Sequence, residues 1–143
     1  DLDYYLIKPG LFGYLSSIPN LRKVYKSKNY DLAHAHYSLS GFVAAIAGCK
    51  PLVVSLMGSD TFGSKFVHKL TRFFSRHIWD KTIVKTSEFK ERLDIPEALV
   101  IPNGVNIERF KPIPKKEARN HLNISEDCKL IIFIAIKNRP EKI

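Results

Sequence analysis

The chain has 143 residues, and 23 basic against 14 acidic side chains give it a net charge of +9. With 45% hydrophobic and 26% charged residues it has the composition of an ordinary globular protein, which excludes a disordered or collagen-like chain. No apolar run approaches the ~20 residues that a membrane-spanning helix needs. Two cysteines, Cys49 and Cys128, are too few for a disulfide framework or a four-thiolate zinc site, and both read as buried thiols of a reducing compartment. The chain begins at Asp1 and its single methionine is internal, so it reads as a piece of a longer protein.

In chain order, residues 13–27 read as a helix with Leu15, Ile18, Leu21, Val24 and Tyr25 on one side, its regular part starting near Ile18 because of Pro19. Asp31 to His36 reads as a short strand. Ser38 then caps a helix of small residues that Gly48 ends. Pro51 to Met57 is a strand apolar on both faces, as in a parallel sheet covered on both sides. A turn over Gly58–Gly63 leads to a helix over 64–79. Its face of Phe66, Leu70, Phe73, Phe74 and Ile78 is expected inside, opposite a stripe of Lys65, Lys69, Arg72 and Arg76. Thr82 to Lys85 is a strand, Ser87 caps Glu88 to Leu93, and Ala98 to Ile101 is a strand. The alternation implies an α/β fold, a Rossmann-like doubly wound parallel sheet. Prolines 102, 112 and 114 mark a connector, followed by a helix from Lys115 to Leu122 and a strand from Leu130 to Ile136. A strand so apolar needs neighbours on both edges, so the tail reads as the truncated start of a second α/β domain. The domain reading is therefore 1–101, a connector at 102–114, and 115–143.

Ligands of open parallel sheets bind beyond the carboxyl ends of the strands. Four such ends carry small or polar residues: His34 to Tyr37, Met57 to Asp60, Thr86 to Glu88, and Pro102 to Gly104. Each also has a plain structural reading. His34 and His36 share one strand face and could hold a metal, but no third ligand is spaced to join them. Ser87 can be an N-cap and nothing more. Gly58 and Gly104 can serve only to permit tight turns. The Gly10 to Gly13 stretch is too short for a dinucleotide fingerprint.

Taken together, Asp31 to Tyr37, Gly58 to Asp60, Ser87 to Leu93, Ile101 to Val105, Glu108 to Phe110 with Pro112, and Arg139 to Lys142 occur in one order. In that order they resemble the family-4 retaining glycosyltransferases of the GT-B architecture. The resemblance implies two facing Rossmann-like domains, an acceptor side first and a nucleotide-sugar donor side second. It implies transfer of a sugar from a nucleotide-sugar donor to a glycan or lipid-linked acceptor with retention of configuration, without a metal or other cofactor. The candidate substrate-binding residues are His36, Gly58, Ser59, Asp60, Ser87, Glu88, Asn103 and Gly104. The candidate catalytic cation is Lys142, which corresponds to the family's Glu-Lys lysine. The arginine that the family places five residues before it falls by ungapped count on Lys137, while Arg139 lies nearer, and the choice stays open. Such a cation stabilises the charge gathering on the leaving diphosphate. The paired-glutamate donor signature is absent from the chain, so the chain alone is expected to be inactive.

Two positions depart from the family pattern. Met57 stands where a histidine near the donor sugar is usual, and Asn106 replaces an aspartate of the connector, where it can still cap a turn. Three readings of the basic helix 64–81 stay open: a solvated face, contact with an anionic membrane surface, and a nucleic-acid groove. The last is disfavoured because the aromatic side chains are expected on the opposite side. The expected location is the cytoplasm, with the inner face of its membrane as the peripheral alternative. Self-association through residues 130–136 is a further expectation, since an unpaired apolar strand invites it. The runner-up function is a non-catalytic Rossmann-like binding module with a basic, polyanion-facing helix.

Overall fold

The computed structural model describes residues 2–132. It forms two compact units, divided between Asn103 and Gly104.

The first unit is a four-stranded sheet, β1 (Ala33–His36), β2 (Leu52–Ser55), β3 (Lys81–Val84) and β4 (Leu99–Val100). The strands lie in sequential order, and every neighbouring pair is parallel. Helices α1 (Leu11–Ser27), α2 (Ser38–Ala47), α3 (Lys65–His77) and α4 (Ser87–Leu93) precede or join the strands. This is the Rossmann-like α/β arrangement that the strand–helix alternation implies.

Parallel register decides which side chains go inward. Leu52, Val54 and Leu56 alternate along β2 and its extension, and all are at most 1% exposed. Thr82 and Val84 of β3 stand on the same face. Against that face α2 and α3 meet ring to ring: Phe42 lies 4.8 Å from Phe74 and 5.7 Å from Trp79. Gly41 is required there, because a Cβ would fall 2.9 Å from both Trp79 and Val54. The opposite face carries His34, His36, Val53, Ser55 and Ile83, with both histidines exposed.

Several elements differ from expectation. Helix α1 runs through Pro19 rather than starting beside it. Proline removes the bond to the carbonyl four residues back, and side chains brace the neighbouring turns: Ser17 donates to Gly13 O at 2.6 Å, and Asn20 donates to Ser16 O at 3.2 Å. Arg22 of α1 holds the last carbonyls of α2, donating to Ile46 O at 2.6 Å and Ala47 O at 3.2 Å. Residues Gly58–Phe62 form a 3-10 turn. In α3 the inward positions are Thr71 and Ser75, with Leu70, Phe74 and Ile78 flanking, whereas Phe66 and Phe73 point outward at 72% and 52% exposure. Cys49 is buried as expected, but Cys128 is exposed.

The second unit contains α5 (Lys115–His121) and a turn in which Asn106 accepts from the Arg109 N–H at 2.9 Å, the capping expected of it. Leu130 to Ile132 are exposed and not in a strand, and the remainder of the expected strand, 133–136, lies outside the described residues.

Candidate functional site

Because all four strands are parallel, their carboxyl ends share one edge of the sheet, and three candidate segments gather there. At the end of β1 come His36, its last residue, then Tyr37 and Ser38. After β2 come Met57 to Asp60. After β3 come Thr86 to Glu88. A Cβ on Gly58 would stand 3.8 Å from the Phe89 ring, which places the turn after β2 beside the first turn of α4.

Asp60 lies behind this edge and is only 7% exposed. One carboxylate oxygen accepts from the Ser38 N–H at 3.1 Å and from the Ser38 hydroxyl at 2.6 Å. The other accepts from the Met57 N–H at 2.7 Å. His68 of α3 donates through Nε2 to the Asp60 carbonyl at 3.0 Å. The carboxylate therefore faces protein donors, whereas Gly58 and Ser59 beside it are exposed. Gly58 opens the tight 3-10 turn after β2 without positive φ, and Gly104 also lies outside the positive-φ region, with open space around it.

Tyr37 was not among the expected site residues. It joins β1 to α2 with φ 75 and ψ 148, a backbone region that side chains other than glycine rarely take up. Nothing local in the sequence announces this, because the bonds that hold it come from Ser55 and Asp60.

On the open sheet face, His34 and His36 stack with ring centroids 4.6 Å apart. His34 Nε2 lies 2.8 Å from the buried Ser55 hydroxyl. Desolvation by partial burial, then the nearness of His36 and of Lys85, holds the His34 pKa below its ordinary value. Among the described residues no three histidine, cysteine or carboxylate side chains group as metal ligands.

Ser87 and Glu88 are exposed in the first turn of α4. The capping residue is Thr86, whose hydroxyl accepts from the Phe89 N–H at 3.3 Å, so the cap falls one residue earlier than expected. Asn103 closes the first unit and Gly104 opens the second, both exposed. Lys137, Arg139 and Lys142 lie outside the described residues.

The outward face of α3 carries Lys65, Phe66, Lys69, Phe73, Arg76 and His77. Aromatic and basic groups are thus mixed on one face rather than opposed. Arg72 and Arg76 are partly engaged, lying 3.2 and 3.5 Å from the Asp94 carboxylate. No described helix is long and apolar enough to cross a membrane.

A family model described as Glycosyltransferase Family 4 matches residues 2–109. A D-inositol 3-phosphate glycosyltransferase of Streptosporangium roseum is 28% identical over 88% of this chain and 34% of its own length. A relative of the same name from Thermobispora bispora is 27% identical over the same shares. A UDP-Gal:alpha-D-GlcNAc-diphosphoundecaprenol alpha-1,3-galactosyltransferase of Escherichia coli is 31% identical over 71% of this chain and 30% of its own length. The chain spans about a third of the length of these curated relatives. No solved structure matches it significantly.

Proposed function

Because the chain belongs to glycosyltransferase family 4, we propose that the intact gene product moves a sugar from a nucleotide-sugar donor to a glycan or lipid-linked acceptor with retention of configuration. The observation that carries this reading is the family match over residues 2–109, which contains the strand-end segments after β1, β2 and β3. In it, His36, Gly58, Ser59, Ser87, Glu88, Asn103 and Gly104 face substrate, residues 1–101 form the acceptor side, and residues 115–143 open the donor side. Lys142 meets the leaving diphosphate, with Arg139 or Lys137 as the second cation and no divalent ion required. A fixed cation placed where charge develops lowers the barrier without reorganising at the moment of reaction.

The acceptor of the Escherichia coli relative is named as a diphosphoundecaprenol, a lipid. The outward face of α3 suits a surface that presents such an acceptor. Lys65 and Lys69 meet anionic headgroups while Phe66 and Phe73 enter the interface beside them. On this reading the protein works at the inner face of a membrane.

The test is transfer by the intact gene product, offered UDP-galactose and a panel of other UDP-hexoses with inositol 3-phosphate or diphosphoundecaprenol-linked N-acetylglucosamine. The expected product keeps the anomeric configuration of the donor. Lys142→Ala is expected to lower kcat more than it raises donor KM, by about 2–4 kcal/mol of transition-state stabilisation. Flotation with anionic vesicles is expected to weaken in Phe66→Ser/Phe73→Ser. Binding to duplex DNA without binding to vesicles, together with no transfer, would favour a non-catalytic polyanion-binding module instead.

A further inference from the structure

We infer that Asp60 is a positioning residue, which ties the segment after β1 to the segment after β2 so that the substrate-facing groups of both are presented together. The inference rests on the proposed transferase reading, in which those groups are His36, Gly58 and Ser59.

Three observations lead to it. First, the carboxylate is 7% exposed and gathers three donors from two separate segments, the Ser38 N–H and hydroxyl and the Met57 N–H. A buried carboxylate is expensive unless its oxygens are met by donors, and here both are. Secondly, the bond to Ser38 N–H lies immediately after Tyr37, whose φ of 75 and ψ of 148 persist only where neighbours over-determine them. On the other side the Tyr37 N–H donates to Ser55 O at 3.0 Å, and the Tyr37 carbonyl accepts from the Gly41 N–H at 3.0 Å. Asp60 thus supplies the remaining anchor of the strained residue. Thirdly, the Asp60 carbonyl accepts from His68, so the turn that carries the carboxylate is itself fastened to α3. Without the carboxylate, the Ser38 and Met57 N–H groups lose their partner. Residue 37 is then free to relax to negative φ, which moves His36 relative to Gly58 and Ser59.

The test combines Asp60→Asn with Tyr37→Gly. Asparagine keeps the size and one acceptor, but its amide presents a donor to a second donor, so Ser38 and Met57 cannot both be served. Glycine at 37 takes positive φ without strain. In the chain itself, Asp60→Asn is expected to lower amide-exchange protection of Ser38 and Met57 at least tenfold while the Val54 amide is unchanged. The loss of Tm is expected to shrink by half or more when Tyr37→Gly is also present. In the intact gene product, Asp60→Asn is expected to raise acceptor KM at least fivefold with donor KM unchanged. If Asp60→Asn fails to fold, Ser38→Ala, which removes only the hydroxyl donor, carries the same kinetic comparison with a smaller change.

Unchanged protection of Ser38 and Met57, or equal Tm losses with tyrosine and glycine at 37, would overturn the inference. So would lost protection with acceptor and donor KM both unchanged, which would make Asp60 a stabilising group alone. The exchange and melting measurements need no substrate. An intact protein that transfers no sugar while those measurements behave as expected would therefore fail the transferase reading and not the tie.

Discussion

Ser38 and Ser87 occupy the same place in two strand–helix junctions. Each follows a parallel strand, each is the first residue of the next helix, and each reads in sequence as a helix cap. The structure makes them opposites. Ser38 is 1% exposed and gives both its N–H and its hydroxyl to the buried Asp60 carboxylate. Ser87 is exposed, and its helix is capped by Thr86. The junction after β1 is held from a distance, across 22 residues of sequence, and the junction after β3 is held locally. A site that needs one fixed wall and one adaptable wall can be assembled from two such junctions.

The sharpest way to break this comparison is to remove both hydroxyls in turn. Ser38→Ala is expected to cost about 1–3 kcal/mol, because a buried hydrogen bond to a charged group is lost. Ser87→Ala should stay within about 0.5 kcal/mol, as a substitution at an exposed side chain. Urea unfolding with a common m-value reads both, and equal losses would erase the distinction. Between them lies Thr86→Ala, for which loss of the cap is expected to cost about 1 kcal/mol. If Ser87→Ala cost more than Thr86→Ala, the cap would sit where the sequence first suggests.

Much of the fold was legible because burial and period agree. Val54 and Val84 are both fully buried in the strands that apolar runs announce. The helix α3 was harder. Its phenylalanines at 66, 73 and 74 fall within about 100° of one another and so suggest a single inward face, yet only Phe74 packs against the core. The phase is set instead by what β3 offers: Ser75 lies 2.9 Å from the Thr82 hydroxyl and donates to Glu97 at 3.1 Å. A polar contact between a helix and a strand thus turns two aromatic rings outward. The candidate site divides in the same way. That His36, Gly58, Ser59, Ser87 and Glu88 reach one edge follows from parallel strands, which the alternation of elements implies. That Asp60 faces inward, and that Tyr37 is strained, depends on partners remote in sequence, which no local spacing reveals.

The smallest expected effect concerns pH, and it separates the open sheet face from the fixed junction beside it. His34 is exposed at its outer edge, yet Nε2 turns toward the buried Ser55 hydroxyl, and His36 and Lys85 lie close enough to oppose a second positive charge. Its folded pKa is therefore depressed, so the unfolded chain binds the proton more readily than the folded one. Stability linked to this group is present above the ordinary histidine value of about 6.5 and is lost as pH falls through the lower folded value. Solvent at the outer edge keeps the effect modest. His34→Gln can retain a hydrogen bond to Ser55 while removing the titration. Melting curves taken from about pH 7.5 to 5 should then show a shallower acid-side loss of Tm than the parent chain. Ser38→Ala, which leaves His34 and Ser55 in place, serves as the comparison variant at the fixed junction. A parent chain that gains stability on acidification, or a His34→Gln variant with an unchanged slope, would remove His34 as the group responsible.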